Sequence, residues 1–293
     1  MGTELNSKYY DYQSRLTENL YVTLGSRFDE HQRAGTEDSH RVTAAYLLDD
    51  NLTKLKASYG TGFRYPSIYE EFFVYAANSA SLPNVKAENS KSYDFGIEKT
   101  FLNKGLKIDL SYFDMEYSDT LEGWTQSNSS GLAFTTANMP GLVKSKGIEF
   151  ISQWQKSDFL NFGLNYTYTK TYDGAEQDDP NRNSSYFDER MVRVPDNVVN
   201  LITNIKFPNN KNLDLTINTK WSDQARDYGN GNRTFQDETI DDYMVNDLSI
   251  NYNLWNQYKL YSRVGNIFDE QYETTRDYTQ LGRTFNFGIK RSY

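Results

Sequence analysis

The 293-residue sequence contains no cysteine, and no stretch approaches the roughly 20 consecutive apolar residues of a membrane-spanning helix. A disulfide framework and a Cys-based zinc site are therefore excluded. Positive charge is in short supply: 31 Lys+Arg against 40 Asp+Glu give a net charge of −9. The pI near 4.9 argues against a nucleic-acid partner, which selects a basic face. Residues 1–8 hold no apolar core and no small-residue cleavage site, so no signal peptide is visible. The Met1-Gly2 start does not make a myristoylation motif, because position 6 is Asn6. No GxSxG, HExxH or glycine-rich phosphate loop occurs, which removes the usual signs of an enzyme and of a bound cofactor. Only 37% of residues are hydrophobic and mean hydropathy is −0.78. Aromatics nevertheless reach 15%, too rich for a disordered chain.

What is present is a period of two. Leu160, Phe162, Leu164, Tyr166 and Tyr168 alternate with Asn161, Gly163, Asn165, Thr167 and Thr169. Leu248, Ile250, Tyr252 and Leu254 alternate with Asp247, Ser249, Asn251 and Asn253, and Phe285, Phe287 and Ile289 with Thr284, Asn286, Gly288 and Lys290. Comparable segments at 10–17, 19–30, 40–48, 52–62, 91–101, 105–125, 132–156, 190–207, 213–221 and 257–272 bring the total to about thirteen strands, with no sustained helical period. The chain is all-β. One face of each strand carries Leu, Ile, Phe and Tyr, the other Asn, Thr, Asp and Lys. That division suits a transmembrane barrel, apolar toward lipid and polar toward a watery lumen.

Connections alternate in length. Short ones lie at 17–19, 49–51, 102–105, 155–158, 208–212 and 255–257, and long ones at about 29–39, 63–89, 126–131, 173–189, 222–241 and 269–282. Short periplasmic turns opposite longer extracellular loops are an outer-membrane feature. Trp154, Phe159, Phe207, Trp255, Tyr258 and Tyr293 flank short turns and predict an aromatic girdle.

Several stretches carry a resemblance. Tyr59-Gly60-Thr61-Gly62-Phe63-Arg64-Tyr65-Pro66, Leu82-Pro83-Asn84-Val85-Lys86-Ala87-Glu88-Asn89-Ser90, Lys146-Gly147-Ile148-Glu149 and Val264-Gly265-Asn266-Ile267-Phe268-Asp269-Glu270-Gln271-Tyr272 occur in order, and the chain closes from Gly282-Arg283 to Tyr293. Together they resemble the TonB-dependent outer-membrane receptors, with a layout similar to the cobalamin receptor and the smaller siderophore receptors. The resemblance implies an antiparallel transmembrane β-barrel of about 22 strands, of which residues 1–293 supply about thirteen C-terminal ones, without the plug domain. Strand parity agrees: thirteen strands put the first residue outside, whereas an even-stranded barrel has both termini in the periplasm. It implies further partners: outer-membrane lipid and lipopolysaccharide, TonB with ExbB–ExbD in the full-length protein, the barrel-assembly machinery at the C-terminal strand, and a metal-chelate substrate. The implied function is energised uptake of a scarce chelate such as cobalamin or a ferric siderophore. A passive porin is the alternative.

Substrate contacts are expected from long loops and the upper lumen, with aromatics supplying area and arginine binding anionic groups. The candidates are Arg64, Tyr65, Tyr69, Phe72, Phe73 and Tyr75 in one loop, Trp124 near a strand top, Arg226, Tyr228 and Arg233 in another loop, and Arg276 with Tyr278 in the last. His31 and His40 flank acidic residues Asp29, Glu30, Glu37 and Asp38, which read as a solvated acidic loop more readily than as a metal site.

Overall fold

The computed structural model describes residues 4–72, 74–76, 85–128, 131–139, 141–174, 190–228, 237–254 and 257–291. Thirteen strands form one antiparallel sheet. In spatial order they are β1 (Leu5–Arg15), β2 (Leu20–His31), β3 (Gly35–Leu47), β4 (Thr53–Arg64), β6 (Glu88–Phe101), β7 (Leu106–Ser118), β10 (Val143–Ser157), β11 (Leu160–Asp173), β12 (Asn197–Phe207), β13 (Asn210–Ser222), β16 (Tyr243–Leu254), β17 (Tyr258–Gly265) and β18 (Thr284–Arg291). The remaining strands sit in the long connections: β5 (Val74–Ala76), β8 (Leu121–Asn128) and β9 (Gly131–Asn138) make a small sheet, and β14 (Ala225–Tyr228) pairs with β15 (Asp237–Ile240). The one α-helix among the described residues is α1 (Ile68–Phe72).

Register carries the sequence alternation across the whole wall. Because side chains alternate faces, opposed residues share one. The row Ala57, Phe95, Tyr112, Ile148 and Tyr168 runs over β4, β6, β7, β10 and β11. Farther along, Leu215 opposes Ile250, Leu248 opposes Val264, and Val264 opposes Phe285. Each of these apolar residues lies on the same outward face. The molecule consequently has almost no interior core. Its 34.1 kDa expose 18990 Å², whereas a compact soluble chain of that mass exposes about 13,000 Å². Among the described residues the buried apolar side chains, such as Val85, Ala87, Met139, Val143, Ala225 and Ile240, gather at the long-loop end.

Two glycines are set by close approach. Gly105, at φ 55, follows the turn 102–104, and a Cβ there would come within 2.6 Å of the Gln155 carbonyl. A Cβ on Gly147 would meet the Tyr168 carbonyl at 1.9 Å and the Phe113 ring at 2.8 Å. The Phe113 ring opposes Gly147 and occupies the space its missing side chain leaves, a pairing that lets glycine persist mid-strand. At the short turn 48–52, the Asp50 carboxylate accepts bonds from the Leu52 and Thr53 amides at 2.8 Å each, and from Lys99 Nζ. The Lys99 ammonium, then those local donors, hold the Asp50 carboxyl well below the usual carboxylate range.

The expected elements need adjustment at the loop end. The connection at 29–39 is strand except for the turn 32–34, since β2 and β3 pair through Asp29–Glu37 and His31–Gly35. Beyond the bilayer the outward side chains need not be apolar, so hydropathy stops marking strands that backbone pairing continues. The run 105–125 is β7 plus β8, and 132–156 is β9 plus β10; in both, the far part leaves the wall for the small sheet. Strand 190–207 begins only at Asn197, and 257–272 ends at Gly265. Of the girdle residues, Trp154 donates from Nε1 to the Lys104 carbonyl at 3.1 Å, and Phe159 and Phe207 are exposed. Trp255 and Tyr293 lie outside the described residues.

Candidate functional site

The inward face of the wall is polar and internally paired. Lys56 meets Asp109 at 2.6 Å, Ser58 donates to Asp94 at 2.7 Å, and Glu98 receives Lys54 at 3.2 Å and Lys107 at 3.0 Å. Arg41, Lys56, Ser58, Asp94, Ser111 and Glu149 line a concave cleft of about 440 Å³. Its floor is wide because β3, β4 and β6 place small residues there, Ala45 and Gly96 among them. Such a surface has bonding capacity toward a polar object in the lumen.

The long-loop end holds two clusters. The first is built on β4. Arg64 bonds both oxygens of Glu70 at 3.0 Å and Oε2 of Glu88 at 2.5 Å, while Glu88 Oε1 accepts the Leu121 amide at 2.6 Å. Arg64 therefore clasps α1 to the start of β6, and Glu88 ties both to β8. The two carboxylates raise the Arg64 guanidinium further above its ordinary value. Burial opposes the Glu70 carboxylate, yet the Arg64 bonds and the Ser67 amide and hydroxyl hold it below its ordinary value.

Tyr65 is the pivot beside this clasp. Its hydroxyl lies 3.1 Å from the Asp29 carbonyl and 3.0 Å from the Gly35 carbonyl. Its ring stacks on His31 at 4.8 Å, with Phe63 edge-on at 5.2 Å. Burial, then the negative charge of Glu37 and Asp29, pushes the Tyr65 phenol up. The Glu71 carboxylate, only 2% exposed, sits 3.6 Å from His31 Nδ1 and 3.5 Å from Arg33 Nε. His31 points inward and His40 outward, where His40 Nε2 meets Asp38 at 2.6 Å, so the two histidines are not brought together.

The second cluster centres on Asp227, which is fully buried. Its carboxylate accepts Arg193 Nε at 2.9 and 3.1 Å and the Arg276 amide at 2.7 Å. Arg276 also pairs with Glu238 at 2.7 Å, and Arg226, 3% exposed, donates to the Arg190 carbonyl at 2.6 Å. Three connections, β11–β12, β13–β16 and β17–β18, are joined at one carboxylate. Next to it, Asn266 organises the last loop: Nδ2 donates to the Glu270 carbonyl at 2.9 Å, and Oδ1 accepts the Glu270 amide at 2.8 Å. Asp247 receives the Asn266 amide at 2.9 Å. These bonds account for the asparagine that directly follows β17.

Of the residues expected from sequence, Arg64, Tyr65 and Tyr69 lie in the first cluster, and Arg226 and Arg276 in the second. Tyr69 and Tyr278 are 63% and 69% exposed and present rings to the outside. Phe72, Tyr75, Trp124 and Tyr228 lie on described backbone in α1, β5, β8 and β14. Their side chains, and Phe73 and Arg233 entirely, lie outside the described residues. Asp227 and Glu88 were not anticipated. A lone carboxylate in a polar loop carries no periodic signal, and only the approach of distant loops reveals it.

The Glu70 clasp gives a pH expectation. A carboxyl whose folded value is lowered stabilises fully above its ordinary range and loses that contribution as pH falls through the lowered value. Amide protection across 65–72, corrected for the intrinsic pH dependence of exchange, is therefore expected to fall as pH drops below the ordinary carboxylate range. E70Q is expected to abolish this pH dependence and to loosen the segment by roughly 1 kcal/mol, after allowing for solvent screening. Unchanged exchange in both experiments would remove the clasp from the account.

With this geometry in view, the chain can be set beside known proteins. The family model described as TonB dependent receptor-like, beta-barrel, matches residues 2–267. The vitamin B12 transporter BtuB of Vibrio cholerae is 21% identical over 90% of this chain and 38% of its own length. The probable TonB-dependent siderophore receptor PirA of Acinetobacter baumannii is 21% identical over 98% of this chain and 41% of its own. The ferric enterobactin receptor PfeA of Pseudomonas aeruginosa, in complex with enterobactin, superposes with a TM-score of 0.82 at 20% identity, over 99% of this chain and 46% of that one. The chain spans less than half the length of each of these relatives.

Proposed function

Because the chain belongs to the TonB-dependent receptor-like β-barrel family, we propose that residues 1–293 are the C-terminal portion of a receptor that takes up a scarce chelate, such as cobalamin or a ferric siderophore, driven through TonB. It is a multi-strand β-barrel protein of the outer membrane. The observation that carries the functional reading is the division of one continuous thirteen-stranded wall into an apolar outer and a polar, charge-paired inner face, with long loops bonded to one another at one end. The long loops then face outside and the short turns the periplasm.

Two further features support the partial-barrel reading. The relatives are more than twice as long, and β1 and β18 form no pair with each other among the described residues. Each would present unpaired backbone groups to lipid, where every such group costs several kcal/mol. Strands from the rest of the receptor would cover those edges, and the paired inner wall would face a plug.

Within this reading the exposed loop-end rings of Tyr69 and Tyr278 offer area to a chelate, and Arg276, paired with Glu238 yet part exposed, offers charge. Arg64 and Arg226 act one step back, holding the loops that carry those rings. We assign the chain a transport role, in line with the receptor and transporter relatives that it resembles.

The test is uptake by cells carrying the full-length receptor and starved for iron or cobalamin. Labelled cobalamin and ferric catecholate are offered separately, with and without a protonophore. Uptake of one chelate that the protonophore abolishes is the expected result. Uptake that persists without a proton gradient and saturates with no chelate would assign a passive pore instead.

A further inference from the structure

Among the described residues one carboxylate is buried without a donor. Glu71 is 2% exposed, and neither of its oxygens receives a hydrogen bond. The local sequence puts it there. The Ser67 hydroxyl accepts the Glu70 amide at 3.3 Å, and the Ser67 amide donates to Glu70 Oε2 at 2.7 Å. This reciprocal cap opens α1, and the Glu71 amide follows with a 2.9 Å bond to the Ser67 carbonyl. Glu70 is thereby turned toward Arg64, and Glu71 toward the β2–β3 turn. Arg33 Nε, 3.5 Å away, offsets the Glu71 charge, yet no hydrogen bond joins them.

His31 faces the same carboxylate. It is 8% exposed, with Nδ1 3.6 Å from Glu71 Oε1. That nitrogen accepts the Ala34 amide at 3.0 Å and the Arg33 amide at 3.3 Å. It therefore carries a lone pair, and the proton of the neutral ring sits on Nε2. A second proton can enter only at Nδ1. Its arrival removes the acceptor of both turn amides and creates the donor that Glu71 lacks. Closing the gap by roughly 1 Å then gives a charge-assisted bond.

The surroundings suit the charged ring. Tyr65, fixed through its hydroxyl, stacks on His31 at 4.8 Å and offers its face to an imidazolium. Of the charges near this pair, Arg33 opposes a second cation, Arg27 is bonded to Asp29, and Arg64 to Glu70. Asp29, Glu30 and Glu37 act on Tyr65 by their charge, and Asp119 acts on Glu37. With Glu71, the carboxylates outnumber the cations.

We propose that His31 is a proton-operated latch for the loop that begins at Tyr65. Neutral, it holds the turn 32–34. Protonated, it releases that turn and grips Glu71, fixing α1 to the β2–β3 hairpin. His31 is thus a positioning residue for α1 and for the exposed Tyr69 ring that α1 carries. The latch rests on contacts within this chain and goes beyond the uptake reading, whose failure would leave it standing.

Hydrogen exchange of the full-length protein in detergent, corrected for intrinsic rates, tests the latch between about pH 8 and pH 5, where imidazole ordinarily titrates. Protection of the Arg33 and Ala34 amides is expected to fall as pH drops, and that of the Glu71 amide to rise. Each change is expected to be roughly fivefold, the scale of one hydrogen bond lost or gained. A general loosening in acid does not produce opposite signs in neighbouring segments. H31Q keeps an acceptor and cannot titrate, so it is expected to flatten both responses. E71Q is expected to keep the fall at 33–34 and lose the rise at α1. A flat wild-type profile, changes of one sign in both segments, or a rise at α1 that survives either substitution would each overturn the proposal. Wild type alone decides the sign, so a variant that fails to fold leaves the test intact. The window also lies above the carboxylate range in which the Glu70 clasp gives way, which keeps the two effects apart.

Discussion

Replacing Asp227 with alanine is expected to release three loops at once. Its buried carboxylate bonds Arg193 from the β11–β12 connection and the Arg276 amide from the last loop, and it stands on β14 itself. Removing a buried acceptor forfeits charge-assisted bonds and strands their donors. Arg193 is about half exposed and can recover water, so the cost stays on the order of 3 kcal/mol, below the largest values for buried pairs. Hydrogen exchange and limited proteolysis are expected to quicken together in 190–196, 225–228 and 266–282. D227N, which keeps the shape and loses the charge, is expected to produce a smaller change in the same three segments. A response confined to 225–228 would show that the carboxylate does not couple the loops. Since Arg276 and Tyr278 belong to the proposed chelate surface, D227A is also expected to weaken chelate binding without touching the chelate.

The second large effect lies in the wall. Gly147→Ala puts a carbon where the Tyr168 carbonyl and the Phe113 ring already lie, at 1.9 and 2.8 Å. A ring can turn aside, but the carbonyl belongs to the backbone of β11, which pairs with β10 along its length. One strand must shift, and β10 is also bonded to β7, so the shift reaches both neighbours. The expected cost is about 3 kcal/mol, the upper range for overpacking, read as a lowered urea midpoint for the barrel in detergent. Adding Phe113→Ala is expected to recover only part of the loss, because it clears the ring and leaves the carbonyl contact. Wild-type stability in G147A, or full rescue by the double change, would refute this account.

Much of the wall was legible without coordinates because a barrel wall is local chemistry. Each strand reports its own two faces, so Leu160 to Tyr168 announces a lipid face wherever its neighbours are. Turn residues such as Asp49, Asp50 and Asn51 mark reversals for equally local reasons. Legibility failed where lipid ended. The pairing of Asp29 with Glu37 continues β2 and β3 through residues whose polarity looks like loop, and β8 and β9 continue past the wall into a separate sheet. Arg64 illustrates the same limit at the candidate site. Its type and place suggested anion binding, while its fork is already bonded to Glu70 and Glu88.

By itself, then, the sequence determined the class of wall, the sidedness of its faces, the alternation of short and long connections and the family motifs, because each depends on residues within a few positions of one another. Tertiary structure alone decided which distant residues meet. The Asp227 junction, the Tyr65–His31 stack and the Phe113 ring over Gly147 all join segments that strand register brings together. Register is set by the summed pairing of many residues along two strands, and no single position carries it.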